Sequence, residues 1–311
     1  MAFYSPDPAM GQHLEAVVRA LELDGRPGLA ERLSITWLRY TPGSSAIGRG
    51  TDLDAAGFWG LSLEGAGWNG GICRYPASVV KLVYLAAAEA WLQADLIPST
   101  PELTAALAEM IQHSSNDATG LVVDLLTGTT SGPRLPAAAM ALWSAQRQLV
   151  NQWLQGLGWP ELEGWNACQK TWGDGPQGRE RESYGPAGEN RNRLSSDGVA
   201  RLLHAVIGSA IVSPPACQRM RALLARSLDP AERAGDPENQ VDGFLGEALG
   251  EGARLWSKAG WMSQARHDAA YIEQPSGDGV NAQLLVVFSE GPDCARDERL
   301  LPEIARLLLK A

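Results

Sequence analysis

A serine and a lysine stand three residues apart in the segment Ser78-Val79-Val80-Lys81. In a helix this spacing places both side chains on one face. Residues 77–93 are apolar nearly all round, which predicts a buried helix. Burial disfavours a charged lysine, so we expect a lowered pKa for Lys81 and a neutral amine that can take the Ser78 hydroxyl proton. The pattern predicts a nucleophilic serine. A helix-capping serine followed by a surface lysine would show the same sequence pattern.

A second polar group, Ser114-Ser115-Asn116, falls at a predicted junction between two helices. A hydroxyl there can relay a proton to a leaving group, and an amide can hold a substrate amide. Serine and asparagine also serve well as helix N-caps, so the group by itself has an ordinary structural explanation.

A third group, Lys258-Ala259-Gly260, ends a segment with the composition of a strand. A lysine on a strand edge beside a catalytic serine would complement a substrate carboxylate. Gly260 would let a substrate lie against the strand, and the next backbone N–H, that of Trp261, could complete an oxyanion hole. A strand that simply ends before a turn is the plain alternative.

The elements that must position these groups are strands at both ends of the chain and helices between them. We expect strands over residues 34–40, 57–63, 252–260, 267–274 and 282–290. We expect a long loop over 159–194 and helices over 10–22, 77–93, 101–112, 116–126, 137–157, 195–207, 215–228 and 298–310.

The simplest architecture for this order of elements is α+β. Early and late strands would pair in one antiparallel sheet covered by the terminal helices. The predicted division is an α/β lobe of residues 1–76 and 229–311 and an all-helical lobe of residues 77–228. Ser78 would then lie at the interface of the two lobes.

The composition narrows the possible functions. The chain has 311 residues, of which 45% are hydrophobic and 20% charged, as in ordinary globular proteins. Its formal net charge of −10 makes nucleic acid a poor partner. No apolar stretch is long enough to span a membrane. The first residues lack the features of a signal peptide, so we expect a cytoplasmic protein, or a periplasmic one if a leader has been removed.

Cysteine and histidine usage excludes the common metal sites. Four cysteines and four histidines are scattered without metal-ligand spacing, so we expect neither a metal nor a cofactor. We also expect a monomer that acts on a small molecule.

In their order along the chain, the three groups resemble the S-x-x-K, S-D-N and K-T-G pattern of the penicillin-recognising serine enzymes, in particular class A β-lactamases. The resemblance extends over about residues 10–310 and is strongest in YPASVVKL, HSSNDATGLVVDLL and SKAGW…HDAAYI. It implies a two-lobed fold with acyl-enzyme chemistry on β-lactams or related acyl-D-alanyl compounds.

The resemblance also implies a role for each polar residue of the three groups. Ser78 would be the nucleophile, Lys81 its base and Ser114 the proton relay, with Lys258 as a further relay and carboxylate contact. The substrate contacts would be Asn116, Lys258, Gly260, Trp261 and Arg266, the last at a position where family members often carry a basic residue, with His267 as its neighbouring alternative.

Four departures from the family pattern bear on activity. Ser115 replaces the aspartate of S-D-N, and the interval from Ser78 to Ser114 is shorter than in class A enzymes. Ala259 replaces the hydroxyl residue of K-T-G, which removes a hydrogen bond worth about 1.5–3 kcal/mol. The loop motif E-x-x-x-N, whose glutamate activates the water that frees the acyl group, has no match. The predicted loop offers only separate glutamates: Glu161, Glu163, Glu180, Glu182 and Glu189.

The leading prediction is therefore a β-lactamase-like serine hydrolase that forms an acyl-enzyme through Ser78 and releases it slowly. A D-alanyl-D-alanine peptidase or small esterase of the same fold is an alternative, and so is a ligand-binding protein that has lost the chemistry. Ala259 and the missing loop motif favour lost chemistry, whereas the intact serines and lysines oppose it. An α/β-hydrolase is disfavoured because the chain has no G-x-S-x-G.

Overall fold

The computed structural model describes residues 3–277 and 279–309. Within this range the strands are β1 (Ser5–Pro6), β2 (Leu33–Arg39), β3 (Glu64–Trp68), β4 (Ala225–Arg226), β5 (Arg254–Met262), β6 (Ala265–Ser276) and β7 (Gly279–Glu290). The α-helices are α1 (Pro8–Leu23), α2 (Leu29–Arg32), α3 (Ala55–Trp59), α4 (Val80–Gln93), α5 (Pro101–Gln112), α6 (Asn116–Thr127), α7 (Ala137–Arg147), α8 (Leu149–Gly156), α9 (Gly178–Tyr184), α10 (Ser196–Gly208), α11 (Pro214–Leu224), α12 (Pro230–Gly235), α13 (Pro292–Arg296) and α14 (Leu300–Leu308). Short 3₁₀ turns lie at Ala77–Val79, Pro160–Leu162 and Leu245–Ala248.

The seven strands form one sheet in the order β1-β3-β2-β7-β6-β5-β4. Strand β2, near the start of the chain, pairs antiparallel with β7, near its end, with Leu33 opposite Ser289. All other pairs are antiparallel except β1 with β3, which is parallel. The predicted α+β architecture is confirmed, and the two-residue strand β1 makes the sheet mixed.

Both faces of the sheet are covered, which explains the apolar run from Leu284 to Phe288 in its central strand, β7. Leu285 of β7 packs in a cluster with helices α1 and α14, and its neighbour Val286 packs in a second cluster with α4 and α10. Successive residues of a strand point to opposite faces, so a strand buried on both sides needs apolar residues at every position.

Helix α4 runs through the centre of the helical region. Every residue from Val80 to Glu89 is buried. The Glu89 carboxylate is neutralised by Arg219, whose Nη2 lies 2.5 Å from Oε2. Within the described part of the chain, no helix has both the length and the apolarity needed to cross a bilayer, and α4 itself has 14 residues.

The prediction of a strand over residues 57–63 is wrong. These residues begin inside helix α3. Asp54 caps this helix by accepting a hydrogen bond of 2.7 Å from the Gly57 N–H, and Phe58 turns inward to stack on His204, with 4.8 Å between ring centroids. The capping carboxylate outweighs the strand composition of the segment.

Three predicted helices have different ends in the structure. The helix predicted over 137–157 is two helices, α7 and α8, that meet at Gln148. The helix predicted over 215–228 ends at Leu224, where the chain enters β4. The closing helix predicted over 298–310 is α14, and Lys310 lies outside the described residues.

Candidate active site

Ser78 lies in the 3₁₀ turn that leads directly into α4. The preceding residue, Ala77, has φ +45, a conformation that non-glycine residues rarely adopt and that costs backbone energy. The turn is closed by a hydrogen bond of 3.0 Å from the Val79 N–H to the Pro76 carbonyl. Ser78 is half-buried, and among the described residues its Oγ has no hydrogen-bond partner. The hydroxyl is therefore free to meet a ligand.

Lys81 is completely buried one helical turn further along. Its Nζ donates to Asn116 Oδ1 at 2.9 Å, to Ser114 Oγ at 3.2 Å and to the Ser114 carbonyl. Burial lowers the pKa of Lys81 from 10.5 to about 7. Near neutral pH a substantial fraction of the lysine is thus an uncharged amine, which can act as a base.

Ser114 sits between α5 and α6 and joins two lysines. Its Oγ lies 3.2 Å from Lys81 Nζ and 3.1 Å from Lys258 Nζ. Because both amines donate to this oxygen, the hydroxyl keeps its own proton for a third partner. Ser114 has φ +55, while Ser115 caps α6 by accepting 3.2 Å from the Ala118 N–H. Ser115 is therefore the helix cap, whereas the Ser114 side chain contacts Lys81 and Lys258.

Lys258 on β5 is also completely buried. Its Nζ donates to Ser114 Oγ, to the Ala259 carbonyl at 2.8 Å and to Gln240 Oε1. Its pKa is well below the ordinary value because the amine is buried, and because Arg226 and Lys81 add positive charge nearby.

Gln240 is a member of this cluster that the sequence did not predict. Its Nε2 donates to the carbonyl groups of Ile111 at 3.0 Å and Gln112 at 2.8 Å, at the end of α5. Its Oε1 accepts from Lys258 and from the Ala259 N–H at 3.3 Å. All four hydrogen-bonding positions of the amide are therefore used. No sequence motif surrounds Gln240, so only its position in the fold reveals this role.

Strand β5 carries an open edge beside Ser78. Ala259 directs its N–H away from β6, towards Gln240. Backbone groups of an antiparallel strand alternate in direction, so the N–H of Trp261, two residues on, faces the same side. Gly260 lies directly under the serine turn: a Cβ at this position would be 2.9 Å from the Ser78 nitrogen. Only glycine allows this approach.

The structure does not bring Arg266 to this cluster. Arg266 pairs with Trp261 across β5 and β6, and both side chains point to the face covered by the terminal helices. The Arg266 guanidinium donates to the carbonyl groups of Ala295 and Gly243, each at 3.2 Å. The Trp261 indole, 60% exposed, also donates to Ala295. The predicted role of Arg266 as the carboxylate ligand is therefore corrected, because strand alternation turns it away.

His267, the neighbour of Arg266, does face the site. It pairs with Gly260. Its Nδ1 accepts 3.0 Å from the Ser289 N–H, so its Nε2 carries the proton and donates 2.8 Å to the Tyr75 carbonyl. Burial lowers the pKa of His267 to about 4, which keeps the ring neutral. The ring therefore fixes the chain just before the serine turn.

Among the described residues, the glutamates of the 159–194 segment make no hydrogen bond or ion pair with Lys81 or Lys258, although Glu180 lies 3.7 Å from Lys170 Nζ. Glu180 is completely buried, but it pairs with Arg147 and accepts 2.8 Å from Ser131. Glu161 pairs with Arg201, and Glu182 is exposed. Among the described residues, no carboxylate is hydrogen-bonded to Ser78, Lys81, Ser114 or Lys258.

Similar folds occur among solved structures of serine β-lactamases and penicillin-binding proteins. A β-lactamase from Sphaerobacter thermophilus aligns with a TM-score of 0.62 and 20% identity over 96% of each chain. A single-site mutant of PBP-A, solved as an acyl-enzyme complex with penicillin G, aligns with a TM-score of 0.63 and 15% identity over 98% of this chain and 97% of that one. A β-lactamase from Xanthomonas campestris gives 0.60 and 16% over 96% and 98%. At these identities the likeness shows the fold.

The sequence itself defines the family. The model of the β-lactamase enzyme family matches residues 90–311, and the chain belongs to that family. No curated protein matches the chain in sequence. The family match begins after Ser78 and Lys81, so the assignment of these two residues depends on their geometry beside Ser114 and Lys258.

Proposed function

We propose that the protein is a serine hydrolase that opens β-lactams through an acyl-enzyme on Ser78. The observation that carries the proposal is the buried Lys81–Ser114–Lys258 chain beside a free serine hydroxyl. The fold and family of the chain support a β-lactamase-like hydrolase of this kind.

The first step is attack on the lactam carbonyl. Neutral Lys81 takes the Ser78 Oγ proton as Oγ bonds to the carbonyl carbon. The electron pair of the carbonyl moves to oxygen, where the N–H groups of Ser78 and Trp261 stabilise the charge. Asn116 supports the substrate amide, since its Oδ1 is held by Lys81 and its Nδ2 remains available to donate.

The second step opens the ring. The carbon–nitrogen bond breaks, and the ring nitrogen takes the proton of Ser114 Oγ. Ser114 is restored by the proton that Lys81 received, which returns the lysine to its neutral form. Lys258 meanwhile attracts the carboxylate of the substrate. An alanine at 259 leaves this carboxylate without the hydroxyl donor of K-T-G.

Release of the acyl group is proposed to be slow. A positioned general base contributes about 10²–10⁴-fold to such a step, and among the described residues no carboxylate contacts Ser78 or Lys81. The same observation favours a second candidate, a D-alanyl-D-alanine peptidase of the same fold, for which a long-lived penicillin adduct would be inhibition.

We propose the following division into lobes and the following mode of substrate binding. Residues 1–76 and 229–311 would form one lobe and residues 77–228 the other, with the serine turn between them. The substrate would be a small molecule bound by a monomer without a cofactor.

The test is intact-protein mass spectrometry after mixing with benzylpenicillin, combined with stopped-flow mixing with a chromogenic cephalosporin. We expect an adduct of one equivalent on the peptide that contains Ser78, and a burst of product followed by slow turnover. Ser78→Ala should abolish the adduct, whereas Ser99→Ala, an exposed serine elsewhere, should keep it. An adduct on Ser114, or no adduct with either compound, would overturn the proposal.

A peptide substrate separates the two candidates. Release of D-alanine from an acyl-D-alanyl-D-alanine peptide, together with a penicillin adduct that persists for hours, would favour the peptidase. Steady loss of the cephalosporin without D-alanine release would favour the β-lactamase.

A further inference from the structure

The two sides of a bound β-lactam must point to opposite ends of strand β5. A β-lactam carries its carboxylate beside the ring nitrogen and its acylamino group on the other side of the carbonyl. If Lys258 attracts the carboxylate and Ser78 attacks above Gly260, the acyl group extends towards Met262. This placement rests on the proposed function. It indicates that the acyl group of the substrate lies beside the Met262 end of strand β5.

Arg191 lies at this end of strand β5. The Arg191 guanidinium lies over the ring of Tyr75, 3.8 Å from its centroid. Its Nη2 lies 3.9 Å from Met262 Sδ, at the end of β5. Tyr75 is three residues before Ser78. Arg191 therefore spans from the serine segment to the strand that lies beside the scissile bond.

The backbone around Arg191 is well anchored. The Arg191 N–H donates 3.0 Å to Gly188, and its carbonyl accepts 3.2 Å from Asn166. Arg193, two residues on, exchanges two backbone hydrogen bonds with Asn166, at 2.9 and 2.8 Å. A side chain on such a segment can be held in a fixed position relative to the serine turn.

Within the described part of the chain, the Arg191 guanidinium stacks on Tyr75 but forms no ion pair. Among the described residues, no carboxylate lies within ion-pair distance of Arg191, whereas buried Arg147 and Arg74 pair with carboxylates. Stacking on Tyr75 covers the face of the guanidinium, and Nη2 donates weakly to Met262 Sδ; among the described residues the other in-plane N–H groups have no acceptor. Arg191 itself is half-exposed, so a ligand can reach it.

We infer that the preferred substrate carries a second carboxylate in its acyl group, and that Arg191 binds this carboxylate. A planar guanidinium with free N–H groups matches a carboxylate with two hydrogen bonds. Met262 supplies an apolar surface beside it. The substrate class is thus an acyl compound, β-lactam or acyl-D-alanyl, with an anionic acyl side chain.

A matched pair of penicillins tests this inference. Benzylpenicillin and α-carboxybenzylpenicillin differ only by a carboxylate in the acyl side chain. The second-order rate of adduct formation should be about 10–10²-fold higher for the carboxylated compound, the range that a charged hydrogen bond supplies. In Arg191→Gln this preference should disappear, so that the two penicillins react at rates within about threefold of each other.

Two further variants serve as controls. Arg193→Gln removes a charge from the same segment at an exposed position and should keep the preference. Arg191→Lys keeps the charge without the planar donor pair and should keep part of it. Circular dichroism confirms that each variant is folded.

The outcomes separate the inference from the proposed function. Equal rates for the two penicillins in the wild type, or an unchanged preference in Arg191→Gln, would overturn the inference and leave the acyl-enzyme standing. If Arg191→Gln does not fold, a reduced preference in Arg191→Lys supports the inference, and an undiminished preference there contradicts it. No adduct with either penicillin would overturn both the inference and the proposed function.

Discussion

Replacing Gly260 by alanine tests how closely strand β5 must approach the turn that carries Ser78. The added Cβ would lie 2.9 Å from the Pro76 oxygen, 2.9 Å from the Ser78 nitrogen and 3.1 Å from the Val79 nitrogen. Ordinary contacts of a Cβ begin at 3.4 Å. All three opposing atoms belong to the backbone, so none can rotate away. The turn must therefore move away from the strand by roughly half an ångström.

This displacement acts on the reacting atoms themselves. A misplacement of about 1 Å costs about 10²-fold in rate, so we expect adduct formation by Gly260→Ala to slow by about tenfold or more. Overpacking of this kind also destabilises a fold by about 1–3 kcal/mol. The assay is the rate of adduct formation at several benzylpenicillin concentrations, with thermal unfolding measured in parallel.

A second glycine provides the control. Gly71 lies in the same segment as the serine turn, and a Cβ there would meet nothing within 4 Å. Gly71→Ala should therefore react at the wild-type rate. If Gly260→Ala also reacts at that rate, the close approach of β5 has no part in the chemistry, and the oxyanion site built from Ser78 and Trp261 is wrong.

Four other predictions concern buried charged and polar groups. The rate of acylation should rise with pH through about 7 as Lys81 loses its proton, and a flat profile between pH 5.5 and 8.5 would contradict the lysine base. The pKa of Lys81 is about 7 in the folded chain and 10.5 ordinarily, so between these two pH values the unfolded chain binds more protons than the folded one. The free energy of unfolding should therefore rise with pH from about 7 to 10.5, and it should rise less steeply in Lys81→Met. Gln240→Leu removes one of the three acceptors of Lys258 Nζ and the acceptor of the Ala259 N–H, while the two α5 carbonyls keep Arg226 as donor, so chemical denaturation should show a loss of about 1–3 kcal/mol and acylation should slow; unchanged values for both would remove Gln240 from the site. Arg74→Met removes the buried donor to Ser34 Oγ and to the Glu31 and Leu33 carbonyls, together with the ion pair to partly exposed Glu290, and should cost about 1–3 kcal/mol in the same measurement; an unchanged free energy of unfolding would contradict this.

Local sequence signals located most elements that position the site. Helix α5 begins after Thr100, and α6 begins after Ser115, because each of these side chains caps the first turn of its helix. Such signals depend on residues close in sequence. They failed where a cap competed with strand composition, as at Asp54, and where the predicted long helix breaks at Gln148.

The residues of the site also divide into those that local motifs identify and those that depend on distant contacts. Ser114 and Lys258 could be placed because their neighbours form motifs. Arg266 could not, since a shift of one residue along β6 exchanges the two faces of the sheet, and the sequence does not show the register of β5 with β6. Gln240 acts only because the end of α5 comes near β5 in three dimensions. A side chain that bridges distant segments leaves no local pattern.

The pairing of β2 with β7 sets the order in which the molecule can be assembled during synthesis. The partner of Leu33 is Ser289, so the paired strands β2 and β3, which the ribosome makes early, have no further strand to join until β7 emerges. Contacts between residues so far apart in the chain form slowly. The serine turn packs against Gly260, which is also synthesised late. A growing chain therefore carries its nucleophile for most of translation without the strand that organises it, and reactivity begins only when the chain is nearly complete.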